Sequence, residues 1–399
     1  MKNKVLLIGL LFLLLVGCNS KEENEKDKPV KSDIDAKVEE TLSKMTLDEK
    51  IGQMITIFYR ADTVDNTLKS AITDVKPGGF ILFAENMSSY SGTLKFIKEV
   101  KSLSEIPMFI SIDEEGGRVQ RLTKLNGVEV SDVPSMYDVG LKDDEELTYN
   151  VGKLIAEELR VFGINMDYAP VLDVYSNPDN KVIGTRSFGT TASLVSKQGQ
   201  ALAKGLSDNG VIPVFKHFPG HGNTSTDSHV DLPIVTKTKE ELKELDLIPF
   251  IDAINNNAEV IMIGHLAVPS ITNDNTPASL SKSLITDFLK KELNYNGLVV
   301  TDALNMGALT NYYSDEEICG KAVEAGVDIL LMPKSSRTCL KSVQDAVKNG
   351  TVTEERINES ARKILKLKYE KIEENYNDYL DQSYLNSSEH QEIINKIKE

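Results

Sequence analysis

Short apolar, β-branched runs recur along the chain, each followed by a stretch where apolar residues return at helical spacing. Eight runs read as strands: 53–58, 79–83, 108–112, 164–169, 211–216, 260–264, 298–301 and 328–332. Between them the pattern predicts helices over 90–102, 145–162, 194–209, 239–255, 281–293 and 315–325, several with Ser or Asp near the start. A last long helix is expected over 353–371. Such alternation is the signature of βα units around a parallel core. The evenly globular stretch of about 340 residues exceeds the usual single core, and a closed α/β barrel is the common one-domain exception. The pattern therefore predicts a single domain of the (β/α)8 TIM-barrel type over 36–372, followed by a C-terminal extension over 373–399.

The ends read differently. Lys2 and Lys4 precede an apolar stretch, 5–16, too short to span a bilayer comfortably and closed by Leu15-Val16-Gly17-Cys18. This has the form of a bacterial lipobox, so 1–17 is expected to be a signal peptide and Cys18 the site of lipidation. Residues 18–35 are polar and rich in Lys, Glu and Asp, and are expected to form a disordered tether. The expected location is the extracytoplasmic face of a cell membrane, with the protein anchored through Cys18 and monomeric.

Charge and cysteine content narrow the partners. A formal charge of −16 argues against nucleic acid or an anionic lipid surface, both of which reward a basic patch, and leaves a neutral ligand as the natural partner. Beyond Cys18 only Cys319 and Cys339 remain, which gives no disulfide framework and no CxxC metal pair; two free or loosely paired thiols are expected.

In a parallel barrel, reactive groups gather just past the C-terminal ends of the strands. The third run ends in Asp113-Glu114-Glu115-Gly116-Gly117-Arg118, the fifth in Lys216-His217, the sixth in Gly264-His265 and the seventh in Thr301-Asp302. An open doubly wound sheet would concentrate such groups at one switch point, so their spread favours the closed form. Asp302 is either a strand-end helix cap or a carboxylate placed to attack an anomeric carbon. Four of the five histidines fall between 217 and 265. His217, His221 and His229 allow a zinc site, although no HExxH context supports one. Asp227 and His229, two apart in a Gly/Ser/Thr-rich loop, allow an orienting carboxylate–imidazole pair. His265 reads as a satisfied core histidine. Glu114 and Glu115, beside Asp113, open a substrate-assisted scheme that stands below a covalent intermediate.

Five motifs then carry a resemblance: Asp113-Glu114-Glu115-Gly116-Gly117-Arg118-Val119-Gln120-Arg121, Gly184-Thr185-Arg186-Ser187-Phe188-Gly189, Lys216-His217-Phe218-Pro219-Gly220-His221-Gly222, Asp227-Ser228-His229 and Thr301-Asp302-Ala303-Leu304. Together, in this order, they resemble the glycoside hydrolase family 3 β-N-acetylglucosaminidases. The resemblance implies Asp302 as nucleophile and His229, backed by Asp227, as general acid/base. It implies Asp113, Arg121, Arg186, Lys216 and His217 as the groups that hold the sugar hydroxyls and acetamido group. Asn223 stands where many relatives carry Asp, and the stretch 387–392 resembles the junction at which two-domain relatives begin a second domain.

The expected activity is a retaining exo-β-N-acetylglucosaminidase acting on β-linked N-acetylglucosamine saccharides such as cell-wall fragments, without cofactor or metal. A phosphorylase using the same site, or a non-catalytic lipid-anchored sugar-binding protein, are the alternatives.

Overall fold

A computed structural model describes residues 31–224 and 226–399. The predicted signal peptide, Cys18 and most of the predicted tether lie outside the described residues. At its end the tether expectation is corrected. Helix Lys31–Lys44 already includes residues 33–35, because Ile34, Val38 and Leu42 form a stripe packed against Ala361, Leu365 and Tyr369 of helix Glu354–Lys371. Asp35 also meets Lys366 at 2.6 Å.

Nine strands are present among the described residues: β1 (Ile55–Ile57), β2 (Gly79–Leu82), β3 (Phe109–Ile112), β4 (Met166–Asp167), β5 (Ile212–Pro213), β6 (Phe215–Phe218), β7 (Val260–Ile263), β8 (Leu298–Thr301) and β9 (Leu330–Leu331). They form a curled six-stranded sheet, β5-β4-β3-β2-β1-β9, and a three-stranded sheet, β6-β7-β8. Every strand pairing is parallel. β2, β3, β7 and β8 are buried at every position, as expected where helices cover a parallel sheet. The molecule is thus an α/β domain built on a curled parallel sheet.

The fifth predicted strand divides in two. Pro170 and Pro213 have no N–H to donate, so the ladder between β4 and the next strand is short. At Val214 the chain changes partner: its N–H is shared between the carbonyls of Asp167 (3.0 Å) and Ala169 (2.9 Å), and β6 goes on to pair with β7. Single parallel bridges join the two sheets at both seams, Val171 with Lys216 and Val300 with Ile329.

Predicted helices 90–102 and 315–325 match Tyr90–Ser102 and Asp315–Ala325. The predicted helix 239–255 is broken into Lys239–Glu244 and Ile248–Asn255. Pro249 is tolerated in the first turn of the second piece but would break a continuous helix. The C-terminal helix Ser388–Lys398 buries Ile393, Ile394 and Ile397 in the main core, and His390 sits between Glu157 (2.9 Å) and Glu158 (3.2 Å).

The cysteine expectation is corrected as well. Cys319 and Cys339 form a disulfide with Cα atoms 5.3 Å apart, inside the range a bridge can span. Helices Asp315–Ala325 and Ser336–Lys348 carry the two residues and pack against one another. Two cysteines 20 residues apart in a large domain do not announce that proximity.

Candidate active site

The C-terminal ends of β3, β6 and β8 open on one cavity of about 500 Å³. β3 delivers Asp113 and Glu115. Gly116 (φ +90°) and Gly117 (φ +56°) then turn the chain, and a Cβ on Gly116 would stand 2.9 Å from the Pro134 carbonyl. β6 delivers Lys216, whose Nζ lies 2.7 Å from Asp113 Oδ1 and 2.6 Å from Glu115 Oε1. Arg186 donates through Nε and Nη2 to the two oxygens of Glu115, each at 2.8 Å. Arg121 approaches Asp113 at 3.5 Å. The Lys216 side chain is buried rather than solvated at its strand end.

Burial opposes charge on Glu115, but Arg186 and Lys216 outweigh it and hold the carboxyl well below the usual carboxylate range. Lys216 is held above the usual lysine range: its burial is outweighed by Asp113 and Glu115. Glu114 behaves oppositely. It lies off the cavity, accepts from the N–H groups of Arg121 (2.7 Å) and Leu122 (3.2 Å), and burial pushes its carboxyl up to about 8. It is therefore mostly protonated at neutral pH. Neither acid is free to polarise a bound acetamido group, since Glu115 is saturated by cations and Glu114 points elsewhere.

Asp302 follows β8. Its backbone N–H donates to the Ile263 carbonyl (2.9 Å), and its Oδ1 accepts from the Ala303 N–H (2.7 Å). Within the described residues it forms no ion pair. Burial raises its pKa, yet His217, the Ala303 N–H and Lys216 help to outweigh that and keep it below the usual value. The result is an ionised carboxylate with a free edge toward the cavity, in a positive field. His265 bears out its reading as a core histidine. It is buried; its Nε2 meets the Ala303 carbonyl (3.0 Å), so that nitrogen carries the hydrogen, and Nδ1 accepts from Ser279 (2.7 Å).

His229 and Asp227 stand at the mouth. His229 Nδ1 lies 2.8 Å from Asp227 Oδ1, which also accepts the His229 backbone N–H at 2.9 Å. An ionised carboxylate can only accept, so Nδ1 carries the hydrogen and Nε2 is left for proton transfer. Both side chains remain exposed.

All eight sequence-predicted site residues, Asp113, Arg121, Arg186, Lys216, His217, Asp227, His229 and Asp302, line this cavity; Cys18 lies outside the described residues. The three histidines of the zinc alternative each have their own partner. His217 Nδ1 meets Asp173 Oδ2 at 2.7 Å, His221 Nδ1 meets Thr224 Oγ1 at 2.7 Å, and His229 holds Asp227. Asp173 was missed by the sequence reading. Fully buried, it orients His217 and accepts the His221 N–H (2.6 Å). Its signal was available: it ends the apolar stretch Val171-Leu172 just past β4, where strand-end carboxylates are expected. Arg118 and Lys181 also line the wall, where Arg118 Nη2 donates to the Lys181 carbonyl at 2.8 Å.

The chain has known counterparts. Residues 46–367 match the glycosyl hydrolase family 3 N-terminal domain. The chain is 31% identical over 365 residues to beta-hexosaminidase A of Pseudoalteromonas piscicida, covering 81% of this chain and 61% of that protein. It is 32% identical over 329 residues to beta-hexosaminidase LpqI of Mycobacterium tuberculosis, covering 80% and 82%. The solved structure of a family 3 beta-N-acetylglucosaminidase from Paenibacillus sp. str. FPU-7 superposes with a TM-score of 0.82 at 35% identity, covering 88% of this chain and 68% of that one. The chain belongs to glycosyl hydrolase family 3.

Proposed function

We propose that this glycoside hydrolase is a retaining exo-β-N-acetylglucosaminidase that removes terminal N-acetylglucosamine from β-linked saccharides, peptidoglycan fragments among them. One observation carries the reading: Asp302, ionised and without an ion pair among the described residues, shares a cavity with an Asp227–His229 pair whose Nε2 has no partner among them. Asp302 attacks the anomeric carbon and forms a glycosyl-enzyme while His229 Nε2 gives its proton to the leaving oxygen. His229 then takes a proton from water, whose oxygen displaces Asp302 from the sugar. Imidazole replaces the second carboxylate of the usual glycosidase pair. Asp113, Arg121, Arg186, Lys216 and His217 supply the polar wall that holds the sugar. Relatives named beta-hexosaminidase and beta-N-acetylglucosaminidase support the substrate class.

The reading includes a closed (β/α)8 barrel in which β5 and β6 count as one split strand; the bridges at both seams support closure. It also includes a monomer anchored at the extracytoplasmic face through Cys18. The Cys319–Cys339 disulfide supports that compartment, since such bonds persist in oxidising surroundings. The expected result with a chromogenic β-N-acetylglucosaminide is release of free sugar without phosphate. A strict phosphate requirement would replace hydrolysis by phosphorolysis, and binding without turnover would leave a sugar-binding protein. Cys18→Ser should shift the protein from membranes to the medium with activity intact; membrane retention overturns the anchor.

A further inference from the structure

The segment after Asp302 supplies one wall for the loop that carries the Asp227–His229 pair. Gly307 N donates to the His229 carbonyl (3.3 Å) and Ala308 N to the Ser228 carbonyl (3.1 Å). Asn311 Nδ2 donates to the Val230 carbonyl at 2.9 Å, and the Tyr312 hydroxyl donates to Asp231. The contact is close: a Cβ on Gly307 would stand 2.7 Å from the carbonyl oxygens of both His229 and Val230. Both are backbone atoms, so no flexible side-chain end can yield.

The wall is itself tied to Asp302. Leu304 N donates to the Leu331 carbonyl (2.9 Å), Met306 N to the Ala303 carbonyl (3.1 Å), and Ala303 N to Asp302 Oδ1 (2.7 Å). The pair, by contrast, has little packing of its own, since the His229 side chain is 67% exposed and that of Asp227 46%. An exposed imidazole on a loop samples many positions unless its backbone is fixed, and an ångström of misplacement costs heavily in a proton transfer.

We infer that Gly307, Asn311 and Tyr312 are positioning residues: they dock the acid/base loop against the segment that follows Asp302 and thereby set the place of His229 relative to Asp302. This rests on the roles proposed above for Asp302 and His229. Asn311 and Tyr312 are exposed, so trimming them removes a bond without opening a core cavity. Tyr312 is 57% exposed, and its part is that of a strut whose hydroxyl reaches the loop.

The experiment uses the full chain and compares Gly307→Ala, the double variant Asn311→Ala/Tyr312→Phe and His229→Ala on two substrates, a dinitrophenyl β-N-acetylglucosaminide and a β-linked N-acetylglucosamine disaccharide. Glycosylation rates are measured before the steady state. The dinitrophenolate leaves without a proton, so a misplaced acid should matter only for the disaccharide. The double variant should lose about 10-fold or more on the disaccharide and little on the aryl glycoside, approaching the ~10²–10⁴-fold expected of His229→Ala. A general loss of structure would lower both rates together. If His229→Ala is selective for the disaccharide while the double variant keeps the parent ratio, the positioning role is overturned. If His229→Ala itself lowers both rates equally, the acid assignment fails, and the inference with it.

Discussion

Glu115 and Arg186 meet through two parallel N–H···O bonds of 2.8 Å each, and Lys216 Nζ adds a third contact to the same carboxylate at 2.6 Å. One buried anion thus holds two cations at the floor of the cavity. Glu115→Gln would take the ion-pair partner from Arg186 and leave Lys216 with Asp113 alone, and breaking a buried pair in this way costs ~3–5 kcal/mol. The sign with pH follows from the depressed pKa of Glu115: its contribution is present above the unfolded value near 4.5 and fades as pH falls through the folded one. Denaturant unfolding should therefore show a large gap between parent and variant at pH 7 and a smaller gap at the lowest pH where both fold. A gap under ~1 kcal/mol at pH 7 would mean that the cluster relaxes freely.

Its neighbour carries the opposite sign. Glu114 is pushed up to about 8 by burial, so between about pH 4.5 and 8 the folded state holds a proton the unfolded state has lost. Stability then falls as pH rises, by about 1.4 kcal/mol per unit for this one group. Glu114→Gln keeps an acceptor for the Arg121 and Leu122 N–H groups and removes the titration. The variant should match the parent near pH 5 and exceed it near pH 8, measured by the same unfolding curves. A loss that stays equal at both pH values would show that Glu114 is ionised in the fold.

These opposite fates of adjacent residues mark where sequence reading stops. Periodicity gave the strands and the strand-end rule gave Asp113, Lys216, His217 and Asp302, because a parallel sheet forces such residues to one end. The spacing of Asp113, Glu114 and Glu115 carries no information on which faces the cavity, since that depends on the turn at Gly116-Gly117. The setting of Asp173 marks it only as one more strand-end carboxylate; that it orients His217 and accepts from His221 depends on packing the sequence does not show. The disulfide was hidden for the same reason: helix packing brings Cys319 to Cys339. The split at Val214 was legible in Pro213 and Pro170, but only once their N–H groups are asked to join a ladder.

The disulfide makes a prediction separable from catalysis. It closes a loop of 20 residues between two outer helices, and neither cysteine lines the cavity. Its loss should cost ~3 kcal/mol on the chain-entropy account. Cys319→Ser/Cys339→Ser should melt several degrees lower than the parent and hydrolyse substrate at the same rate at 25 °C. An unchanged melting temperature in the variant, together with free thiols in the parent by mass spectrometry, would return the pair to free cysteines.

Asp302 gives the prediction on which the mechanism depends most. A nucleophile must be ionised, and here burial is outweighed with the help of His217, the Ala303 N–H and Lys216. Its carboxylate should therefore persist below its ordinary value of 3.8, and the acid limb of kcat/KM assigned to it should lie below that point. Asp302→Asn preserves the shape and the bond from Ala303 N but cannot form the glycosyl ester. It should lose on the order of 10³-fold or more in kcat, with the folded circular dichroism spectrum retained. A fluorosugar bearing a dinitrophenolate leaving group should label the parent protein once, and the labelled peptide should contain Asp302. Because the ester forms only if Asp302 attacks carbon, label on another residue, or a folded Asp302→Asn with near-normal turnover, would remove it from the mechanism and leave it the strand-end helix cap that its position also permits.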